Sequence, residues 1–116
     1  MATFSRVTSK PWGAETLLLS GQRLVMKRLV VQPRQRLSLQ MHGHKEEVWY
    51  VVAGFGMAVL GEERVDLWPG SLLLIQPGQV HRLAAYDVPL EVIEVSTPEL
   101  DDVMRLADDY GRESLR

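Results

Sequence analysis

Along most of the chain, apolar and polar residues alternate in short runs that glycine and proline interrupt at intervals. Side chains on a strand point alternately to opposite faces, so this pattern predicts half-buried strands of an all-β barrel or sandwich. The predicted strands cover Glu15–Leu19, Leu24–Val31, Ser38–His42, Glu47–Ala53, Phe55–Leu60, Glu63–Leu67, Ser71–Ile75, His81–Ala85 and Leu90–Ser96. Gly21, Pro33, Gly54, Gly61, Pro69-Gly70, Pro77-Gly78 and Pro89 supply the turn chemistry between them. After Thr97 the period changes. Leu100, Val103, Met104, Ala107 and Tyr110 recur at helical spacing, with Thr97 as N-cap, Pro98 at the first helical position and Gly111 past the end. This predicts a short C-terminal helix.

Alternation also assigns faces. Arg36, Ser38, Gln40, His42 and His44 share one face, and Leu37, Leu39 and Met41 share the other. If the two histidines point into the barrel, Gln40 and Ser38 follow them, and a polar interior implies a polar ligand. The apolar face then needs cover from the N-terminal segment, the closing helix or a second copy of the chain. Lys27 and Arg28 are adjacent on a strand, so only one of them can point inward. Trp49 stands two residues beyond Glu47 and faces the same interior, either as core packing or as an apolar wall for a ring-shaped ligand.

With 116 residues, 46% of them hydrophobic, one domain over residues 1–116 with a single core is expected. The net charge of −2, with both signs interspersed, gives no electrostatic footprint for nucleic acid or for an anionic membrane. There is no cysteine, hence no disulfide framework and no thiolate ligand. No basic-then-apolar leader and no long apolar run occurs, so the cytoplasm is the expected compartment.

All three histidines fall into one pattern: His42 and His44 at i and i+2, where an extended strand aims both imidazoles at one point, and His81 beyond two further turns. With a nearby carboxylate, Glu46 or Glu47, they form a donor set suited to one divalent ion, zinc first, with manganese, iron, nickel or cobalt also compatible.

The string resembles the first motif of the cupin superfamily, HxH followed by Glu, six residues and Gly, since six residues separate Glu47 from Gly54. The second cupin motif is matched by Gly70, Ser71 to Ile75 and Gln76-Pro77-Gly78-Gln79-Val80-His81, with the proline moved by one place. A narrower resemblance covers nearly the whole chain. Lys10-Pro11-Trp12-Gly13, Arg36-Leu37-Ser38-Leu39-Gln40-Met41-His42, Glu47-Val48-Trp49, Asp101-Asp102-Val103 and Tyr110-Gly111-Arg112 are similar to the C-terminal cupin domain of type II phosphomannose isomerase/mannose-1-phosphate guanylyltransferases. Departures include Gly43 and Val48, where that family carries histidines.

The resemblance implies a jelly-roll cupin barrel without the nucleotidyltransferase half, a homodimer, and a metal held by His42, His44, Glu47 and His81. It implies interconversion of mannose 6-phosphate and fructose 6-phosphate, with a non-catalytic sugar-binding cupin or another cupin chemistry such as dioxygenation as alternatives. Arg36 or Arg82 would receive the phosphate, because a guanidinium fork fits it. Lys27 or Glu94 would carry the proton between C1 and C2. Gln40 has two readings: a metal ligand, as in the Gln-x-His pair of type I phosphomannose isomerases, or a hydrogen-bonding neighbour of the ion or sugar.

Overall fold

The computed structural model describes residues 6–99 and 102–114. Among the described residues there are eleven strands: β1 (Arg6–Lys10), β2 (Gly13–Ser20), β3 (Val25–Val31), β4 (Leu39–Met41), β5 (Glu47–Ala53), β6 (Gly56–Leu60), β7 (Glu63–Leu67), β8 (Leu72–Ile75), β9 (His81–Ala85), β10 (Leu90–Ser96) and β11 (Met104–Ala107). They form two antiparallel sheets, in the orders β1-β2-β3-β10-β5-β8 and β11-β4-β9-β6-β7. The core lies between them, where Leu29, Trp49, Val51, Leu83, Leu90 and Val92 are nearly sealed from solvent. Each such aliphatic side chain contributes about 1.5–3 kcal/mol by leaving water. This is the cupin barrel expected from the sequence.

Alternation explains why the sheets close on one another. In β10 every second residue, from Leu90 to Ser96, is buried, and the intervening ones are half-buried. The turn from β5 to β6 depends on Gly54, whose φ is +89° and where a Cβ would stand 2.0 Å from the Pro89 carbonyl oxygen. A glycine is therefore required there by sterics as well as by backbone conformation.

Two elements depart from expectation: β1 lies outside the predicted strands, and β11 replaces a predicted helix. The segment read as a C-terminal helix is extended, and Met104–Ala107 pairs antiparallel with β4. Leu100, which the helical period included, lies outside the described residues. Thr97, expected to cap the helix, instead exchanges bonds with Glu46: its amide donates to the Glu46 carbonyl, and its hydroxyl accepts from the Glu46 amide. The physical reason is the edge of β4. Without β11, that strand would leave its backbone unpaired beside the cavity, and a short apolar run satisfies a helical and a strand period equally well.

Candidate functional site

Three chain segments meet at the floor of the barrel. His42 follows β4, Glu47 opens β5 and His81 opens β9, and all three side chains are buried. Their possible ligand atoms lie within 4.8 Å of one another. The His42 Nδ1 donates to the Asp102 carbonyl at 2.5 Å, and the His81 Nδ1 donates to the Gln79 carbonyl at 2.9 Å. These bonds put the hydrogens on Nδ1 and turn both Nε2 lone pairs inward. The Glu47 Oε1 stands 2.5 Å from the His42 Nε2 and 3.4 Å from the His81 Nε2. Both the His42 Nε2 and the Glu47 Oε1 are sealed from solvent without a hydrogen-bond partner among the described residues. Lone pairs aimed at a carboxylate oxygen form a donor set that a divalent cation satisfies and that an empty apolar core would not tolerate. The residues present therefore fit one divalent ion.

Around this group the remaining polar atoms are positioned in turn. The Ser38 hydroxyl donates to Gln40 Oε1 at 3.0 Å, leaving Gln40 Nε2 3.4 Å from His81 Nε2. The Trp49 indole N–H donates to Glu47 Oε2 at 3.4 Å, and its ring meets His81 edge-on. Glu94 is buried and its carboxyl is influenced by Glu47. Burial, followed by the neighbouring Glu47 charge and hydrogen bond, pushes the Glu94 carboxyl well above the ordinary carboxylate range, although Lys45 and Lys27 oppose this. Burial alone would also raise Glu47, but its contacts with His42, His81 and Glu94 and the charge of Lys45 outweigh it and hold that carboxyl low. The two shifts run in opposite directions, which favours the proton on Glu94 over Glu47.

Above the floor opens a cavity of about 130 Å³. Ser38, Gln40, His42, Glu47 and Glu94 line its depth, and five cations, Lys10, Lys27, Lys45, Arg105 and Arg112, line its walls and mouth. Lys27 is the inward member of its pair, 3.5 Å from Glu15, while Arg28 points outward to Glu91. Lys27 also stands directly opposite Glu94 across β3 and β10.

Several expected site residues lie elsewhere. His44 is exposed and absent from the His42, Glu47 and His81 cluster. The strand ends at Met41 and the chain bends, so alternation no longer applies. The bend is wrapped around Asp102, whose carboxylate accepts from the amides of Gly43 at 2.9 Å, His44 at 2.6 Å and Lys45 at 3.0 Å. Those bonds hold the Asp102 carboxyl below its ordinary range, the His44 amide contributing most. Glu46 is likewise exposed. Arg36 precedes the short β4 and forms a two-bonded pair with Asp109, at 2.7 and 2.8 Å, outside the cavity lining. Arg82 donates to the carbonyls of Leu37 and Ala107, tying β9 to its neighbours rather than facing the cavity. Trp49 belongs to the core and does not line the cavity. Trp12, read from the sequence as an anchor of the N-terminal arm, packs in the same core and also lines the cavity.

Three site residues escaped the sequence reading. Lys45 is buried beside Glu47 because the bend resets the strand phase, a shift that no local pattern announces. Arg105 was concealed by the helical reading of its segment. Asp102 carried a signal only through the resemblance.

Comparison with known proteins places the geometry in context. A family model described as "Mannose-6-phosphate isomerase C-terminal" matches residues 2–108. The chain is 42% identical over 115 residues to the xanthan biosynthesis protein XanB of Xanthomonas campestris pv. campestris, covering 96% of this chain and 25% of that protein. It is 39% identical over 107 residues to the alginate biosynthesis protein AlgA of Pseudomonas aeruginosa, covering 89% and 22%. It is also 39% identical over 111 residues to a mannose-1-phosphate guanylyltransferase of Escherichia coli, covering 92% and 23%. The chain thus spans about a quarter of the length of these relatives. Among solved structures, KdgF from Halomonas sp. superposes with a TM-score of 0.78 at 18% identity, covering 87% of this chain and 97% of that one. A cupin-2 domain from Rhodospirillum rubrum gives 0.78 at 20% identity, covering 87% and 74%. These structural likenesses establish the fold alone.

Proposed function

Because the chain belongs to the mannose-6-phosphate isomerase C-terminal family, we propose that it is a metal-dependent isomerase interconverting mannose 6-phosphate and fructose 6-phosphate. The observation that carries this reading is a buried His–Glu–His donor set with unsatisfied atoms at the foot of a cation-lined cavity. The ligand residues are His42, Glu47 and His81, and zinc is the first choice of metal. With His44 turned outward, Gln40, whose side-chain amide stands 3.4 Å from the His81 Nε2, would be the fourth residue to hold the ion. A divalent ion bound there supplies a Lewis acid that polarises a sugar carbonyl.

The chain's own residues provide the remaining functions. Glu94, buried and protonated, can give a proton to a substrate oxygen, and Lys27 across from it is the second candidate for proton transfer. Trp49 and the Gln79 carbonyl hold Glu47 and His81 in orientation. The cationic walls favour a phosphorylated over a neutral sugar. Metal-loaded protein should convert mannose 6-phosphate, and chelation should abolish the conversion. Absence of turnover where a known isomerase works would leave a sugar-phosphate-binding cupin, the reading favoured by Val48, which stands half-buried where the resembling family has histidine.

The proposed assembly is a homodimer. Tyr50, Val52, Leu72 and Leu74 stand exposed on neighbouring strands at the β8 edge of the larger sheet, a face that a two-fold-related copy would cover. Sedimentation should give a dimer for the wild type and a monomer for Leu72→Lys, whereas a monomeric wild type would contradict the assignment.

A further inference from the structure

The register of three strands places one cation of the cavity in a fixed relation to the metal-ligand group. Arg105 on β11 pairs with Gln40 on β4, and Gln40 pairs with His81 on β9. Directly paired residues in an antiparallel sheet project to the same face. Neighbouring strands stand about 4.8 Å apart, so the Arg105 Cα is about 10 Å from that of His81 along this row. Arg105 lines the cavity, and its Nε is sealed from solvent without a hydrogen-bond partner among the described residues. An enclosed guanidinium N–H that lacks an acceptor is a costly arrangement unless a ligand provides one.

The other cations are differently placed. The Arg112 side chain is committed to Asp108 through two bonds, at 2.9 Å each, and Lys27 lies against Glu15. Arg36 and Arg82, the arginines that the sequence suggested for an anion, are engaged outside the cavity.

We propose that Arg105 is the anion receptor of the cavity: the phosphate of a phosphomonoester seats on its guanidinium, and the oxygen-bearing chain of the ligand lies across β4 towards His42, Glu47 and His81. Lys10 and Lys45, on the same lining, strengthen the positive field. A guanidinium offers parallel donors to a phosphate where an ammonium offers a point charge. This assignment rests on the sugar-phosphate reading and adds the ligand's orientation and the residue that selects for phosphate.

The test uses a pair of ligands that cannot be turned over, mannitol 1-phosphate and mannitol, titrated calorimetrically into metal-loaded protein. Wild type should bind the phosphorylated polyol at least about tenfold more tightly than the neutral one, and Arg105→Gln should remove roughly tenfold to a hundredfold of that affinity while leaving metal binding unchanged. Arg105→Lys, which keeps charge and stem, should retain an intermediate preference. It also carries the test if the glutamine variant does not fold, since an unchanged affinity in Arg105→Lys would overturn the assignment. A full preference for phosphate in Arg105→Gln overturns the role of Arg105 and leaves the sugar-phosphate reading intact. Equal binding of both polyols by wild type overturns the anion receptor altogether, whatever the isomerase assay returns.

Discussion

The floor of the cavity and its rim are built in different ways. At the floor, other groups hold the side chains in orientation: carbonyls fix both imidazoles and an indole holds Glu47, while the His42 Nε2 and Glu47 Oε1 atoms are left facing one another. Around it, cations come from β1, β3, β11 and the loops, and two of them, Lys27 and Arg112, are paired with acids that are largely withdrawn from solvent. The floor is therefore specified to the atom and suits an ion, whereas the rim is specified mainly by charge and suits the anionic part of a larger ligand. What separates them is burial, which makes orientation expensive to leave unsatisfied below and permits loose pairing above.

Perturbing the floor should have the largest effects. His81→Ala should abolish turnover and remove most of the rise in melting temperature that added metal produces in the wild type, because binding to the folded state alone stabilises it. Identical thermal responses of the two proteins to zinc would remove the distinction between floor and rim. Asp102→Ala comes next. It frees the three amides of the bend and loosens the segment whose carbonyl orients His42, so metal affinity should fall by about tenfold to a hundredfold, the range seen when groups that orient ligands are lost. Titration calorimetry on the variant checks this, and unchanged affinity would show that the bend is not part of the floor.

A subtler effect separates the two carboxyls. The folded pKa of Glu94 is raised from its ordinary 4.5, so the folded state holds a proton that the unfolded state releases, and this group's contribution to stability is lost as pH rises from about 4.5 towards the folded pKa. Glu94→Gln keeps a neutral hydrogen-bond donor without that loss. In metal-free protein the variant should gain on wild type in melting temperature as pH increases from about 4.5 to 7, with the two converging at the acid end. A constant difference across the range would place the proton elsewhere. The smallest effect belongs outside the cavity: the Arg36 and Asp109 side chains are 44% and 42% exposed, so Arg36→Ala should cost at most about 1 kcal/mol of stability and leave KM close to wild type. A large rise in KM would restore Arg36 as a phosphate contact.

The legible parts of the molecule follow the same division of causes. Strands such as Glu47–Ala53 and His81–Ala85 could be read to the residue, because alternation and the bounding glycines and prolines are local properties. His42 and His81 stood out by their spacing, whereas Glu47 was separated from Glu46 only by the resemblance, through its distance from Gly54. The place of His44 was not legible, because alternation holds only while the chain stays extended, and the bend that turns it outward is fixed by Asp102, fifty-eight residues away in sequence. Arg105 was hidden by a four-residue strand whose apolar spacing also suits a helix, and only the unpaired edge of β4 decides between them.

The proposed site holds the ion through His42, Glu47 and His81, with Gln40 beside them, and leaves out His44, the fourth ligand that the sequence suggests. Calorimetric titration of zinc into metal-free wild type, His44→Ala and His81→Ala tests it most directly. His44→Ala should keep one site of unchanged affinity, and His81→Ala should lose it. Comparable loss in both variants, or loss in His44→Ala alone, would contradict the assignment.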